Sequence, residues 1–355
     1  MDLQSLPTLT YLSDNVTIVE KEGVKIVRVI HDKATAGITL HGGHVISFTP
    51  KGQNELIWMS DTAIFDGKAA LRGGIPVCWP WFGRIAAPAH GFARTSEWAL
   101  IEHRENEQGV IIVLGLDHSP QTLAIWPFQF QTRLYVEIGD KLKVTLETTN
   151  TDEKAWTFSA ALHSYLKVGN ITQITTTGMG VEYIDSLQDA KMCQGGSTLI
   201  LTDTIDRVYT APEAQIQVQD PVLNRTLVVE NSGHNSAVLW NPWAQGAQSM
   251  ADMPDDGYQT MLCVESTLHA PCLSAGKTLQ PGESHQLVTT VFPTKLFWRI
   301  FRHHTHAEGS EITLSFLFLA ADAKLAPLFF KRDLHGVSVP PLPATSVATA
   351  ANIEM

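Results

Sequence analysis

The chain has 355 residues, 44% of them hydrophobic and 17% charged, a balance that excludes disorder over most of its length and supplies a sizeable apolar core. Its 36 acidic against 25 basic residues leave a formal charge of -11, which repels phosphate polymers and anionic membranes on average. The reading is therefore no nucleic-acid partner and no membrane partner, with only a local basic pocket able to hold an anion.

In chain order, short runs rich in β-branched and aromatic residues recur between Gly, Pro, Asn and Asp punctuation, and each predicts a strand. The first are Val16 to Val19, Val24 to Ile30, Val45 to Phe48, Val110 to Leu116, Phe128 to Ile138 and Leu142 to Thr149. Between the last two, Gly139-Asp140 predicts a two-residue hairpin turn in which Gly supplies a positive φ. The pattern continues through Trp156 to Val168, Arg225 to Glu230, Ala237 to Trp240, Tyr258 to Ser266 and His285 to Phe292. No stretch before Pro293 holds a capped helical period over three turns. Strands without interleaved helices predict an all-β fold, a large antiparallel sandwich rather than a parallel α/β sheet.

All-β folds of roughly 200–250 residues are often one unit. With no internal repeat and no Pro/Ser-rich linker before Pro293, residues 1–294 read as one domain. Residues 295–355 run from LFWRIFRHHTHAEG to a Pro-, Ala-, Ser- and Thr-biased end, and predict a C-terminal appendage that is partly disordered. The apolar stretch Ile312 to Phe330 is interrupted by Asp322, Lys324 and Pro327, so it predicts no membrane span. Cys78, Cys193, Cys263 and Cys272 lack CxxC spacing and the N-terminus lacks a basic region followed by an apolar run. A reducing, cytoplasmic setting and a monomer are the default expectations.

The densest segment is GKAALRGGIPVCWPWFG at 67–83, followed by AHGFAR at 89–94. Its glycines and prolines preclude a regular central strand and predict a shaped loop with aromatic walls. The walls suit a small-molecule pocket or equally close one end of the sandwich. Arg72 and Arg94 would form a basic site if they converge, since a guanidinium fork matches a phosphate or carboxylate; singly, each reads as a solvated surface residue. His163, in FSAALHSYLKVG, lies on the opposite face-parity from Leu162 and Ser164, a polar imidazole in an apolar strand. Glu265, in MLCVES, is a carboxylate within a hydrophobic strand, where burial is costly without a partner or a function. An arginine partner and general base chemistry both answer that cost. Asp206, in TDTIDRVYTA, precedes a strand and reads as a turn cap. His41 and His44 of HGGH, and the HHTH at 303–306, lack further ligands at zinc spacing, so no metal is assigned. No GxGxxG, Walker loop or GxSxG is present, which leaves nucleotide and serine-hydrolase chemistry without a foothold.

Seven segments, RGGIPVCWPWFG, AHGFAR, ALHSYL, IDRVY, LWNPW, DMPDDGYQTMLCVES and LQPGESH, in that order, closely resemble the hexose-6-phosphate mutarotases, or glucose-6-phosphate 1-epimerases, of the aldose 1-epimerase (galactose-mutarotase-like) superfamily. The resemblance covers about residues 10–293. It implies one β-supersandwich that interconverts the α and β anomers of an aldohexose 6-phosphate without a cofactor. By position it implies Glu265 as general base, His163 as general acid, Arg72 and Arg94 as phosphate contacts, Asp206 as a sugar-binding carboxylate and His90 as a pocket-lining residue. At position 89 the chain carries Ala where some relatives carry a hydrogen-bonding side chain. Reference pKa values lead to the expectation that Glu265 stands ready as a carboxylate while His163 needs its protonated form favoured, by a neighbouring carboxylate or the substrate phosphate. The alternative reading is a non-catalytic sugar-phosphate binding or regulatory protein on the same fold.

Overall fold

In the computed structural model the period-two alternation of a half-buried strand is plain in Phe130–Ile138, where Phe130, Thr132, Leu134, Val136 and Ile138 are buried and the residues between them are not. This strand lies between Leu142–Asn150 and Gly109–Asp117 in a nine-stranded antiparallel sheet. A second, eight-stranded sheet runs Lys191–Gln194, Glu182–Asp185, Ile205–Tyr209, Ser236–Asn241, Met261–Leu268, Ala160–Leu162 and Val77–Cys78, with Tyr165–Lys167 also paired to Met261–Leu268. The inner faces of the two sheets share one core, in which Leu239, Leu262 and Val264 pack with Leu134, Val136, Val144, Leu146 and Val229. Ser266 Oγ donates to the Val288 carbonyl at 2.9 Å across the layers. Each such aliphatic side chain contributes about 1.5–3 kcal/mol by leaving water. A five-stranded meander, Thr8–Tyr11, Val16–Lys21, Val24–Ile30, Ala34–Thr39 and His44–Pro50, precedes them. The fold is thus the all-β antiparallel sandwich that the strand pattern predicts.

The structure describes residues 2–295 and, beyond them, three short strands, Arg299–Arg302, Leu314–Leu317 and Leu328–Phe329. The chain divides into two compact units, Met1–Leu296 and Phe297–Met355, and in the second the three strands pair antiparallel in sequence order. The rest of the predicted appendage, including HHTH and the expected disorder, lies outside the described residues. No helix among the described residues is long and apolar enough to cross a membrane.

Three local expectations change. Ile138 pairs with Leu142, so Gly139-Asp140 belongs to a three-residue loop and not a two-residue turn. Gly139 keeps an ordinary φ; glycine is needed there because a Cβ would stand 2.7 Å from the Gln108 carbonyl oxygen. The predicted strand Trp156 to Val168 is three strands, Trp156–Phe158, Ala160–Leu162 and Tyr165–Lys167. Its first break comes at Ser159, where the chain passes from pairing with Lys277–Leu279 to pairing with Met261–Leu268, and its second at His163-Ser164, where the Ser164 amide turns back to the Leu162 carbonyl at 3.0 Å. Asp206 lies inside the strand Ile205–Tyr209, not in a turn before it. Its pattern hides this, because Asp206 faces a cleft while its neighbours Ile205 and Tyr209 enter the core.

The aromatic loop also divides its labour. Trp79 and Trp81 are buried, and Trp79 makes edge contacts with Phe92, Trp126, Phe130 and Trp156, so these tryptophans close the sandwich instead of walling a pocket. Gly91 is pressed against them: its φ is +73° and an added Cβ would run into the Trp79 carbonyl, which itself accepts hydrogen bonds from the amides of Phe92 and Ala93. Gly91→Ala is therefore expected to lower the unfolding free energy by more than about 1 kcal/mol, read as a lower midpoint in chemical denaturation; an unchanged midpoint would show that the turn does not need glycine.

Candidate active site

Sheet register assembles the floor of the site. Leu162 pairs with Ser266 and Tyr165 with Cys263, so the two strands keep one register across the break and His163 stands opposite Glu265. On the other side Val238 pairs with Glu265, Trp240 with Cys263, and Asp206 with Trp240. Opposed residues share a face, which gives two rows on the side away from the core: Asp206, Trp240, Cys263, Tyr165, and Val208, Val238, Glu265, His163. Met261–Leu268 is buried at every position because even-numbered residues enter the core while Cys263 and Glu265 enter this second face. That two-sided burial is why MLCVES reads as a nearly continuous apolar run.

Above the floor lies a cleft of about 510 Å³ lined by Arg72, Arg84, Arg94, His90, His163, Tyr165, Asp206, Trp240 and Glu265, with Pro76, Phe82 and Met250 among its apolar neighbours. His163 Nε2 and Glu265 Oε1 are 3.3 Å apart, with side-chain exposures of 14% and 1%. The remaining polar atoms of this pair, Glu265 Oε2 and His163 Nδ1, are buried without a protein partner, as is Arg94 Nε. The His163 ring stacks on Tyr165 at 4.9 Å and 16°.

The arginine wall is held by backbone and by neighbouring oxygens. Arg72 Nε donates to Asp252 Oδ1 and its NH1 donates to the Tyr165 hydroxyl, each at 3.1 Å. Its loop is pinned from behind by the HGGH segment: His41 Nε2 donates to the Ala69 carbonyl at 2.8 Å and His44 Nε2 to the Gly73 carbonyl at 2.7 Å. These histidines, read from sequence only as failed metal ligands, position the arginine loop. Arg94 NH2 donates to the Ala89 carbonyl at 3.0 Å, so position 89 contributes through its backbone. His90 sits at φ +65°, a conformation costing about 1–3 kcal/mol for a non-glycine residue. Its Nδ1 accepts the Gly83 amide at 3.3 Å, which places the proton of the neutral ring on Nε2.

Electrostatics reverses one expectation. Burial, with the Asp206 charge adding to it, pushes the Glu265 carboxyl well above its ordinary value. Burial, then His90, Arg94 and Arg72, push His163 well below its own. Both directions favour the neutral forms, a carboxylic acid beside a neutral imidazole, over the ready carboxylate that reference values suggest, because neither charged form is solvated there. Burial and the charges of Arg94, Arg84 and Arg72 bring His90 down to about 4, so it is neutral too. Asp206 is raised by burial and by Asp185, against a lowering hydrogen bond from Ser186. Burial opposes the charge on Arg72, but Tyr165 and Asp252 outweigh it and hold the guanidinium protonated.

All six residues singled out in the sequence, Arg72, His90, Arg94, His163, Asp206 and Glu265, line this one cleft. Sequence reasoning missed Arg84, which directly follows WPWFG, and the supporting Tyr165 and Asp252, both within segments that carry the resemblance. Among the described residues, His163, Cys263 and Glu265 place ligand-type atoms within 4.8 Å of one another. Burial pushes the Cys263 thiol well up, away from the thiolate form. The arrangement supplies a proton donor and acceptor in contact, a hydrogen-bonding carboxylate, and a cationic wall: the parts of an acid–base site for a polar, anionic small molecule.

Residues 25–291 match the aldose 1-epimerase family. The chain is 37% identical over 290 residues to a Salmonella typhimurium protein named provisionally as a glucose-6-phosphate 1-epimerase, covering 80% of this chain and 96% of that one. It is 36% identical over 268 residues to an Escherichia coli protein with the same provisional name, covering 74% and 89%. A crystal structure of a Salmonella typhimurium protein described provisionally as a mutarotase superposes with a TM-score of 0.77 at 34% identity, covering 82% and 98%.

The reversed proton inventory carries a stability signature. A carboxyl whose folded pKa is raised binds protons more tightly folded than unfolded, so its stabilising contribution is full below about 4.3, the unfolded value, and is lost as pH rises towards the folded value. Replacement by the neutral isostere removes that loss. Glu265→Gln is expected to be more stable than the parent at pH 8, by a margin larger than at pH 5, in denaturant titrations at both pH values. A margin independent of pH would show that Glu265 ionises as readily folded as unfolded.

Proposed function

Since the chain belongs to the aldose 1-epimerase family, we propose that it interconverts the α and β anomers of an aldohexose 6-phosphate, glucose 6-phosphate first among them, with Glu265 and His163 as its acid–base pair. The observation that carries this reading is the pair itself. Two groups of complementary proton chemistry, one buried and one largely so, lie 3.3 Å apart, each with an unpartnered polar atom, beneath a wall of three arginines. Buried polar atoms need partners, and a sugar's ring oxygen and C1 hydroxyl supply an acceptor and a donor side by side.

In the catalytic cycle Glu265, as carboxylate, takes the proton of the C1 hydroxyl while His163, as imidazolium, protonates the ring oxygen. The C1–O5 bond breaks and leaves the open-chain aldehyde. Rotation about C1–C2 presents the other face of the carbonyl, and reclosure returns both protons with the roles exchanged. Electrons and protons balance within the sugar and the pair. Asp206, across the floor, accepts from sugar hydroxyls, and the Nε2–H of His90 donates into the cleft. Arg72 and Arg94 take the 6-phosphate, with guanidinium geometry matched to its oxygens. The flanking Arg84 adds charge at the rim.

A non-catalytic sugar-phosphate binder has no use for a buried carboxyl and imidazole in contact, a costly arrangement without a reaction to serve. Magnetisation transfer between anomers separates the readings: the parent protein is expected to accelerate α/β exchange of glucose 6-phosphate, and His163→Ala to lose about 10²–10⁴-fold. Exchange at the uncatalysed rate in the parent would favour the binder. Arg94→Ala is expected to lower kcat/KM for glucose 6-phosphate by about 10–100-fold, the worth of a charged hydrogen bond, and to lower that for free glucose less. Equal losses would remove Arg94 from the phosphate site.

A further inference from the structure

We infer that a phosphate dianion seated at Arg72 and Arg94 draws a proton from Glu265 to His163 across their 3.3 Å contact, giving the carboxylate and imidazolium that ring opening requires. The inference rests on the assignment of Arg72 and Arg94 to the phosphate and of Glu265 and His163 to proton transfer. Under it the substrate's phosphate is an activator of the site as well as a handle for binding.

His163 and Glu265 have different neighbours. The groups that bear on His163 are Glu265 at 3.3 Å, the His90 ring at 6.2 Å, the Tyr165 ring at 4.9 Å, and the charges of Arg94 and Arg72, which with burial keep it neutral. Glu265 faces His163 and, within 4.8 Å, the Cys263 thiol, and its carboxyl is raised by burial and by Asp206 on the far side of the floor. A dianion at the arginines therefore cancels the cationic field on the histidine side, where it opposes imidazolium, and acts less on the carboxyl. The charge count fits: Arg72, Arg84 and Arg94 set against Asp252, which pairs with Arg72 at 3.1 Å, leave two positive charges at that wall.

The transfer needs no other reactant. The proton leaves the Glu265 carboxyl oxygen and joins His163 Nε2 across their existing contact, so none enters or leaves the protein. Tyr165 couples the two regions: its hydroxyl accepts from Arg72 and its ring lies flat against His163, where an aromatic face favours the imidazolium once formed. Spending the energy of a remote substrate group to assemble the reactive form of the enzyme raises turnover and not only affinity.

Phosphite dianion added in trans to free glucose tests the idea, because it supplies the charge without the covalent link. Saturating phosphite is expected to raise the parent protein's glucose exchange by about tenfold or more, within the roughly 10²–10⁴-fold that acid–base catalysis can supply, and Arg72→Ala is expected to lose that activation. No rise, or inhibition alone, overturns the inference. A second readout needs no turnover and no Arg72 variant. In infrared difference spectra of the parent protein, the carbonyl band of protonated Glu265, identified by its absence in Glu265→Gln, is expected to vanish when inorganic phosphate is added. Persistence of the band overturns the inference. Absence of catalysed glucose 6-phosphate exchange would instead overturn the mutarotase reading itself, so the two failures are distinguishable.

Discussion

The site depends on a carboxyl buried in a strand that is covered on both faces. Met261–Leu268 is the central element of the eight-stranded sheet, with Leu262 and Val264 in the core and Glu265 beneath the cleft. A carboxylate alone in that position would cost several kcal/mol, which favours its protonated form and a partner in the facing imidazole. The same burial sets the resting protonation state, leaves Oε2 unpartnered, and makes the pair responsive to charge brought in from outside. Strong coupling and low solvation are what a catalytic pair needs and what a merely stable fold avoids.

The second constraint is the convergence of the arginines. Arg72 belongs to an irregular loop whose backbone is caught by His41, His44 and Trp58, the last through the Gly74 amide at 2.8 Å. Arg94 follows a turn in which Gly91 is docked on the Trp79 carbonyl and His90 holds a left-handed conformation. Rigid elements thus aim flexible side chains. The tryptophans of the densest segment serve this positioning from the core, while the cationic groups and Phe82 face the cleft. Net charge over the chain is no guide to such a wall: a protein of formal charge -11 places three arginines together.

Much of this was legible in the sequence for stated physical reasons. Period-two burial made the long central strands readable, and a lone Glu in MLCVES and a lone His in ALHSYL stand out because polar residues break an apolar run. The ordered segments of the resemblance brought Arg72, Arg94, Asp206 and His90 to one site. Less legible were elements whose patterns answer to neighbours. Ala99–Asn106 carries few apolar residues because it is an edge strand. Trp156 to Val168 reads as one strand because its change of partner at Ser159, from Lys277–Leu279 to Met261–Leu268, is set by tertiary contact with segments over a hundred residues away. Tyr165 and Asp252 acquire their roles from Arg72, which no local pattern announces.

What the sequence by itself determined is the alternation that makes an antiparallel sandwich, the residue types able to exchange protons, and the motifs that place the chain in its family. Only the tertiary structure decided that His163 stands opposite Glu265, since register is a relation between strands, and that burial favours the protonated form of Glu265, since a pKa is set by solvation and neighbouring charge and not by residue identity. It also decided what HGGH is for. Two histidines without metal-ligand spacing became hydrogen-bond donors to the arginine loop because the chain folds Ala69 and Gly73 against them.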